Sequence, residues 1–89
     1  MREHLYTVEW TTHAEKQFKK LTNKNLQEEI LDIIENEIAK NPLLGKPLTF
    51  TFKGVRSYRL GRLRILYKQY VDHLIIVILK IEHRKSVYR

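Results

Sequence analysis

Eighty-nine residues, 43% hydrophobic and 30% charged, leave room for one domain over 1–89 with a modest core, since a chain this short buries only about 60% of its unfolded surface. With no cysteine, disulfides, thiolate metal ligation and cysteine nucleophiles are excluded, and no apolar run approaches the ~20 residues that cross a bilayer, so a cytoplasmic protein without a membrane partner is expected. The net charge of +7 is unevenly spread: residues 1–52 hold seven Lys/Arg against eight Asp/Glu, net −1, whereas residues 53–89 hold ten against Asp72 and Glu82, net +8.

In chain order, Leu5–Trp10 alternates loosely and is rich in β-branched and aromatic residues, which predicts a first strand. Thr12-His-Ala-Glu15 has capping-box spacing, in which hydroxyl and carboxylate reciprocally satisfy amides at a helix start. Ala14, Phe18 and Leu21 follow at i, i+4 and i+7, a short helix with one apolar stripe, and Thr22–Asn25 breaks it. Leu26, Ile30, Ile33, Ile34 and Ile38 then repeat at helical spacing up to Asn41-Pro42, where proline disfavours helix in the residue before it. Turn residues over Asn41–Pro47 give way to β patterns at Leu48–Phe52, Ser57–Leu60, Leu63–Tyr70 and Leu74–Ile81. Gly61-Arg62 fits a two-residue type II′ turn with glycine first, and Asp72-His73 marks a second tight connection. The order β-α-α-β-β-β(-β) predicts an α+β fold, a two-helix hairpin packed on one face of a twisted, mainly antiparallel sheet.

Counting outward from Gly61-Arg62 pairs Leu60 with Leu63, Arg59 with Arg64 and Tyr58 with Ile65. Arg59 and Arg64 then stand opposite one another on one face. Like charges so placed are destabilising, and an anionic ligand would relieve them. Tyr58, Leu60, Leu63 and Ile65 are offered to the helices, which leaves the arginine face open. The excess positive charge nearby draws polyanions, with nucleic acid ahead of an acidic protein.

After the apolar run that ends at Ile81, His83 and Arg84 emerge at a strand end. Cleaving RNA through its own 2′-hydroxyl needs a base, cations for the developing phosphorane-like charge and an acid for the leaving 5′-oxygen. Histidine is the residue type suited to proton transfer near neutral pH, so His83 can serve as base or acid. Arginine offers phosphate paired planar donors that lysine lacks, and Tyr88 can stack a base or hold the reacting geometry. Lys53, Arg56, Arg62, Lys68, Lys85 and Arg89 complete the expected RNA-binding set, with Lys53 and Arg56 equally readable as loop charge. His4, His13 and His73 read as surface or turn residues, Trp10, Phe18, Phe50 and Phe52 as core, and the acidic face Glu28, Glu29, Asp32 and Glu35 as solvated. No P-loop, dinucleotide fingerprint, zinc spacing or paired carboxylates are visible.

Phe52-Lys-Gly54, then Arg56-Ser-Tyr-Arg-Leu-Gly-Arg-Leu-Arg-Ile-Leu-Tyr67, a hydrophobic strand, and Ile81-Glu-His-Arg-Lys-Ser-Val-Tyr88 together resemble the RelE/ParE superfamily of toxin–antitoxin modules. The β-α-α opening fits in order and length. The resemblance implies a toxin that enters the ribosomal A site and cuts mRNA without metal or cofactor, halting translation. A cognate acidic antitoxin would wrap around it, a heterotetramer being one assembly this allows. By the same resemblance Arg64 matches the strand arginine that contacts the scissile phosphate, and Arg59 a basic residue of the preceding strand. His83 and Arg84 match the basic positions after the last strand, and Tyr88 the C-terminal tyrosine. Leu63 stands where an aromatic is usual, and the carboxylate base of some members has no clear counterpart, so the base is unassigned. Two alternatives are a ParE-like toxin that inhibits DNA gyrase without catalysis, and an inactive, nucleic-acid-binding relative. ParE-like chains generally lack the complete basic and tyrosine set at the C-terminus.

Overall fold

In the computed structural model, residues 6–48 and 54–83 are described. The first strand, β1, spans Thr7–Trp10, and the chain turns at once into α1, Thr12–Lys19. The N-cap is Thr11 and not Thr12, which corrects the expected capping box by one residue. Thr11 is still extended, at φ −74 and ψ 160, so its hydroxyl can accept from the Ala14 amide at 3.0 Å. The same hydroxyl faces the Ile78 and Leu79 carbonyls of the last strand at 3.3 and 3.1 Å, a second reason why the cap sits there.

The second helix, α2, runs Lys24–Ile33 and is capped by Asn23, whose side chain accepts from the Leu26 amide at 3.0 Å. It continues as a π-helical turn over Ile34–Ile38, seen in the wide bond from the Ala39 amide to the Ile34 carbonyl at 2.9 Å. The helical stripe read from the sequence is the buried one, with Ile30, Ile33, Ile34 and Ile38 all in the core.

Beyond a 3-10 turn at Pro42–Leu44 lies the two-residue β2, Lys46–Pro47. Of the strand expected at Leu48–Phe52, residues 49–53 lie outside the described residues. Three longer strands follow: β3, Val55–Leu60; β4, Leu63–Tyr70; and β5, Ile75–His83. The sheet order is β1-β5-β4-β3-β2, antiparallel except where β1 lies parallel to β5. This is the expected α+β arrangement, two helices against a mixed five-stranded sheet.

The β3–β4 register is the one counted from the turn: Leu60 opposite Leu63, Arg59 opposite Arg64 and Tyr58 opposite Ile65. Gly61 takes φ 59, the left-handed position that the first residue of such a turn requires and glycine adopts without strain. The β4–β5 connection is longer than Asp72-His73 alone, a 3-10 turn at Val71–His73 followed by Leu74 at φ 54.

Leu63, Ile65 and Tyr67 of β4 and Ile76, Ile78 and Ile81 of β5 meet the helix residues in one cluster, which Trp10 and Phe18 border. The Trp10 and Phe18 rings meet edge to face at 5.3 Å. Tyr67 is fully buried, and its hydroxyl donates to the Pro42 carbonyl at 2.6 Å and accepts from the Gly45 amide at 2.8 Å. A Cβ on Gly45 would come within 2.6 Å of that oxygen, so only glycine allows this approach. Burial pushes the Tyr67 phenol above its ordinary pKa.

Candidate functional site

Alternation along β5 changes phase once. Ile76 and Ile78 face the core, but the next core residue is Ile81, three positions on. Leu66 pairs with Lys80 and Tyr67 with Ile78, so Leu79 is an extra residue, a β-bulge. Without it, strict period-two alternation would turn Lys80 and Glu82 toward the helices. With it, they join β4's outward residues on the face away from the helices.

Across that open face the register builds three rows. The first is Arg59, Arg64 and Glu82; the second Ser57, Leu66 and Lys80; the third Val55, Lys68 and Val77. Arg59 is exposed, whereas Arg64 and Glu82 are half-buried. Arg64 Nη2 donates to Glu82 Oε1 at 2.7 Å, and Lys80 Nζ stands 3.4 Å from Glu82 Oε2. The repulsion expected between Arg59 and Arg64 is therefore relieved in part from within the chain. Arg64 Nε is buried and has no hydrogen-bond partner among the described residues.

Of the other site residues expected from the sequence, Arg62 is exposed in the turn beside the first row, and Lys68 lies two rows below with its ammonium 5.2 Å from the Tyr70 ring centroid. Arg56 is not part of this face. It pairs with Tyr67 across the sheet, and its Nη1 donates to the Gly45 carbonyl at 2.6 Å, bracing the loop that Tyr67 also holds. His83 is exposed at the end of β5 and lies opposite Leu63, so alternation sets it on the helix side of the sheet, across from Arg64 and Glu82. Lys53, Arg84, Lys85, Tyr88 and Arg89 lie outside the described residues. Sequence reading missed Glu82. No signal for it stood in the sequence: Leu74 to Leu79 is an unbroken apolar run, with no alternation in which a bulge could be read.

Among the described residues no three His, Cys, Asp or Glu side chains gather as a metal site would need, and no helix is long and apolar enough to cross a membrane. Chemically, the first row offers two guanidinium groups to an anion, one of them held by a carboxylate. Guanidinium donors match the spacing of phosphate oxygens.

The family model described as ParE toxin of type II toxin–antitoxin system, parDE, matches residues 8–88. Toxin RelG of Mycobacterium tuberculosis is 35% identical over 85 residues, which span 94% of this chain and 97% of RelG. Among solved structures, a chain of the RelBE2 toxin–antitoxin complex from Mycobacterium tuberculosis aligns with a TM-score of 0.84 at 32% identity, covering 93% of this chain and 95% of that one. The archaeal RelE–RelB complex from Pyrococcus horikoshii aligns at 0.67 and 26% identity, covering 91% and 97%. The isolated RelE toxin of E. coli, at 14% identity, shares the fold with a TM-score of 0.74, over 88% of this chain and 83% of that one.

Proposed function

The chain belongs to the family of ParE toxins of type II toxin–antitoxin systems, within the RelE/ParE superfamily, and from that premise we propose that it is a RelE-type toxin that cleaves mRNA in the ribosomal A site. The observation that carries this reading is the row of Arg59 and Arg64 on the open face of the sheet. In the proposed reaction a ribose 2′-hydroxyl attacks the adjacent phosphorus, and the bond to the 5′-oxygen breaks. Arg64 and Arg59 stabilise the negative charge that grows on the phosphoryl oxygens, the part of such a reaction where fixed donors have most effect. Charge stabilisation by guanidinium groups makes the route independent of metal and cofactor. His83, on the helix side at the last position of β5 and so across the sheet from the arginine row, is assigned proton transfer at a scissile bond that lies past that strand end. Arg84 is assigned a further phosphate contact and Tyr88 the holding of a base. Lys53, Arg62, Lys68, Lys85 and Arg89 are proposed to attract the RNA backbone, to which Arg56, its guanidinium tied to the Gly45 carbonyl, adds long-range charge and no contact.

The RelBE2 and RelE–RelB structures are toxin–antitoxin complexes, which supports a cognate antitoxin for this chain. Half-buried Leu66 and Val77 lie among Arg64, Lys68 and Lys80 on the open face. An acidic, amphipathic antitoxin segment suits that mixture, and a heterotetramer is the proposed assembly. Both partners place the toxin's work in the cytoplasm.

One observation favours a second reading: the matching family model is that of the ParE toxins, consistent with inhibition of DNA gyrase without catalysis. Purified protein added to translating ribosomes, with primer extension on the mRNA, is to be run beside a gyrase supercoiling assay. Breaks placed by codon position are expected, and they should disappear in Arg64→Ala, His83→Ala and Tyr88→Ala proteins that still melt like the parent. Blocked supercoiling with intact mRNA would transfer the assignment to the second reading. Absence of both effects, with no growth arrest on induction, would mark an inactive relative.

A further inference from the structure

We infer that Glu82 is the positioning residue that sets the Arg64 guanidinium for the scissile phosphate, an inference that rests on the RNA-cleaving reading above. Glu82 is one of two carboxylates among residues 53–89, and the other, Asp72, sits in the β4–β5 turn at the far end of these strands. It reaches the arginine face only because of the bulge at Leu79. Its side chain is 18% exposed, and both oxygens are engaged, by Arg64 Nη2 at 2.7 Å and Lys80 Nζ at 3.4 Å. A carboxylate tied at both oxygens and mostly shielded from water is a fixed anchor. A long arginine side chain otherwise samples many rotamers, and holding it in one removes that search from the reaction.

Two details favour positioning over simple charge neutralisation. Arg64 Nε is buried without a partner among the described residues, so within them the guanidinium sits where Glu82 holds it and not where its own donors are best satisfied. A single hydrogen bond from Nη2 to Glu82 is made, which leaves a guanidinium with further donors for phosphate oxygens. A bidentate pair would have occupied more of them. Glu82 also brings a negative charge beside the RNA path, so its removal should not weaken attraction for the polyanion.

Those opposed effects define the test. Single-turnover cleavage on programmed ribosomes is to be measured for the parent, Glu82→Gln and Glu82→Ala. In parallel, the ¹⁵N order parameter of the Arg64 Nε–H group is to be measured in each free protein. Glu82→Ala should lower the maximal rate by about tenfold or more, as misplaced catalytic groups do, while the half-saturating concentration stays level or falls. Glu82→Gln, which keeps an acceptor for Nη2, should lie between. The Arg64 order parameter should drop in Glu82→Ala toward that of an exposed arginine. An Arg64 as ordered in Glu82→Ala as in the parent would overturn the inference, and so would a parent-like maximal rate or a loss confined to binding. Should the parent itself leave mRNA intact, the RNA-cleaving reading fails, and the order parameters still decide whether Glu82 positions Arg64.

Discussion

The two faces of the β4–β5 pair share a backbone and divide its labour. On the helix side Leu63, Ile65, Tyr67, Ile76, Ile78 and Ile81 are each at most 4% exposed. On the other side the same strands present Arg64, Lys68, Lys80 and Glu82, half-buried at most. The contrast teaches that stability and ligand chemistry are assigned here by pleat alternation, one residue at a time, and that one bulge at Leu79 decides which class Glu82 joins. If the division is real, substitutions on one face should change stability and those on the other should change activity.

The strongest challenge is a paired one. Ile78→Ala removes a fully buried side chain between β1, β4 and the helices and should cost about 3 kcal/mol in urea denaturation, with activity per folded molecule retained. Arg64→Ala should lower cleavage by about 10²–10³-fold, the usual effect of deleting a donor to developing charge. Its stability should change by less than ~1 kcal/mol, because the Arg64–Glu82 pair is partly exposed and salt bridges of that kind contribute little. Parallel losses of stability and activity in both proteins would break the division.

Tyr67 sharpens the comparison from the core side. Tyr67→Phe strips the Pro42 carbonyl and the Gly45 amide of a buried partner, and should cost about 2 kcal/mol. A pH signature accompanies it. The buried phenol titrates above its ordinary 10.0, so as pH rises past that value the unfolded chain loses its proton first and the folded state loses stability. The parent's stability should therefore decline above pH 10 more steeply than that of Tyr67→Phe in alkaline denaturation curves. Equal slopes would contradict the burial of a neutral phenol.

How far the sequence foretold these faces differs from feature to feature, for physical reasons. The Arg59–Arg64 register was legible because a two-residue turn at Gly61-Arg62 leaves no freedom in counting. The helical stripe of Leu26 to Ile38 was legible because burial repeats with the helix period. The parallel pairing of β1 with β5 was not, since nothing local tells a strand which distant partner it will meet. Thr11 and Thr12 offer the same hydroxyl, and only the carbonyls of the last strand select between them. The facing of Lys80 and Glu82 was not legible, because the unbroken apolar run from Leu74 to Leu79 carries no alternation from which the bulge could be read. His83 was grouped with the arginines by nearness in sequence, whereas the register places it opposite Leu63.

The smallest expected effect tests whether the two faces are joined at the bulge. Thr11 flanks the bulge from the β1 side: its amide donates to the Ile78 carbonyl at 3.1 Å, extending the parallel ladder that the Thr7 amide begins at Leu74, and its hydroxyl faces the Ile78 and Leu79 carbonyls. Thr11→Ala keeps the amide bond and loses the hydroxyl, including the cap on α1. As a cap alone it should cost about 1 kcal/mol, with Thr11→Ser restoring most of it. If the hydroxyl also holds the bulge in phase, Thr11→Ala should reduce cleavage several-fold more than its stability loss explains, because a bulge that relaxes turns Glu82 away from Arg64. A fall in activity no larger than the unfolded fraction would mean that strand pairing alone fixes the bulge, and that α1 serves the core face without any part in ordering the arginine row.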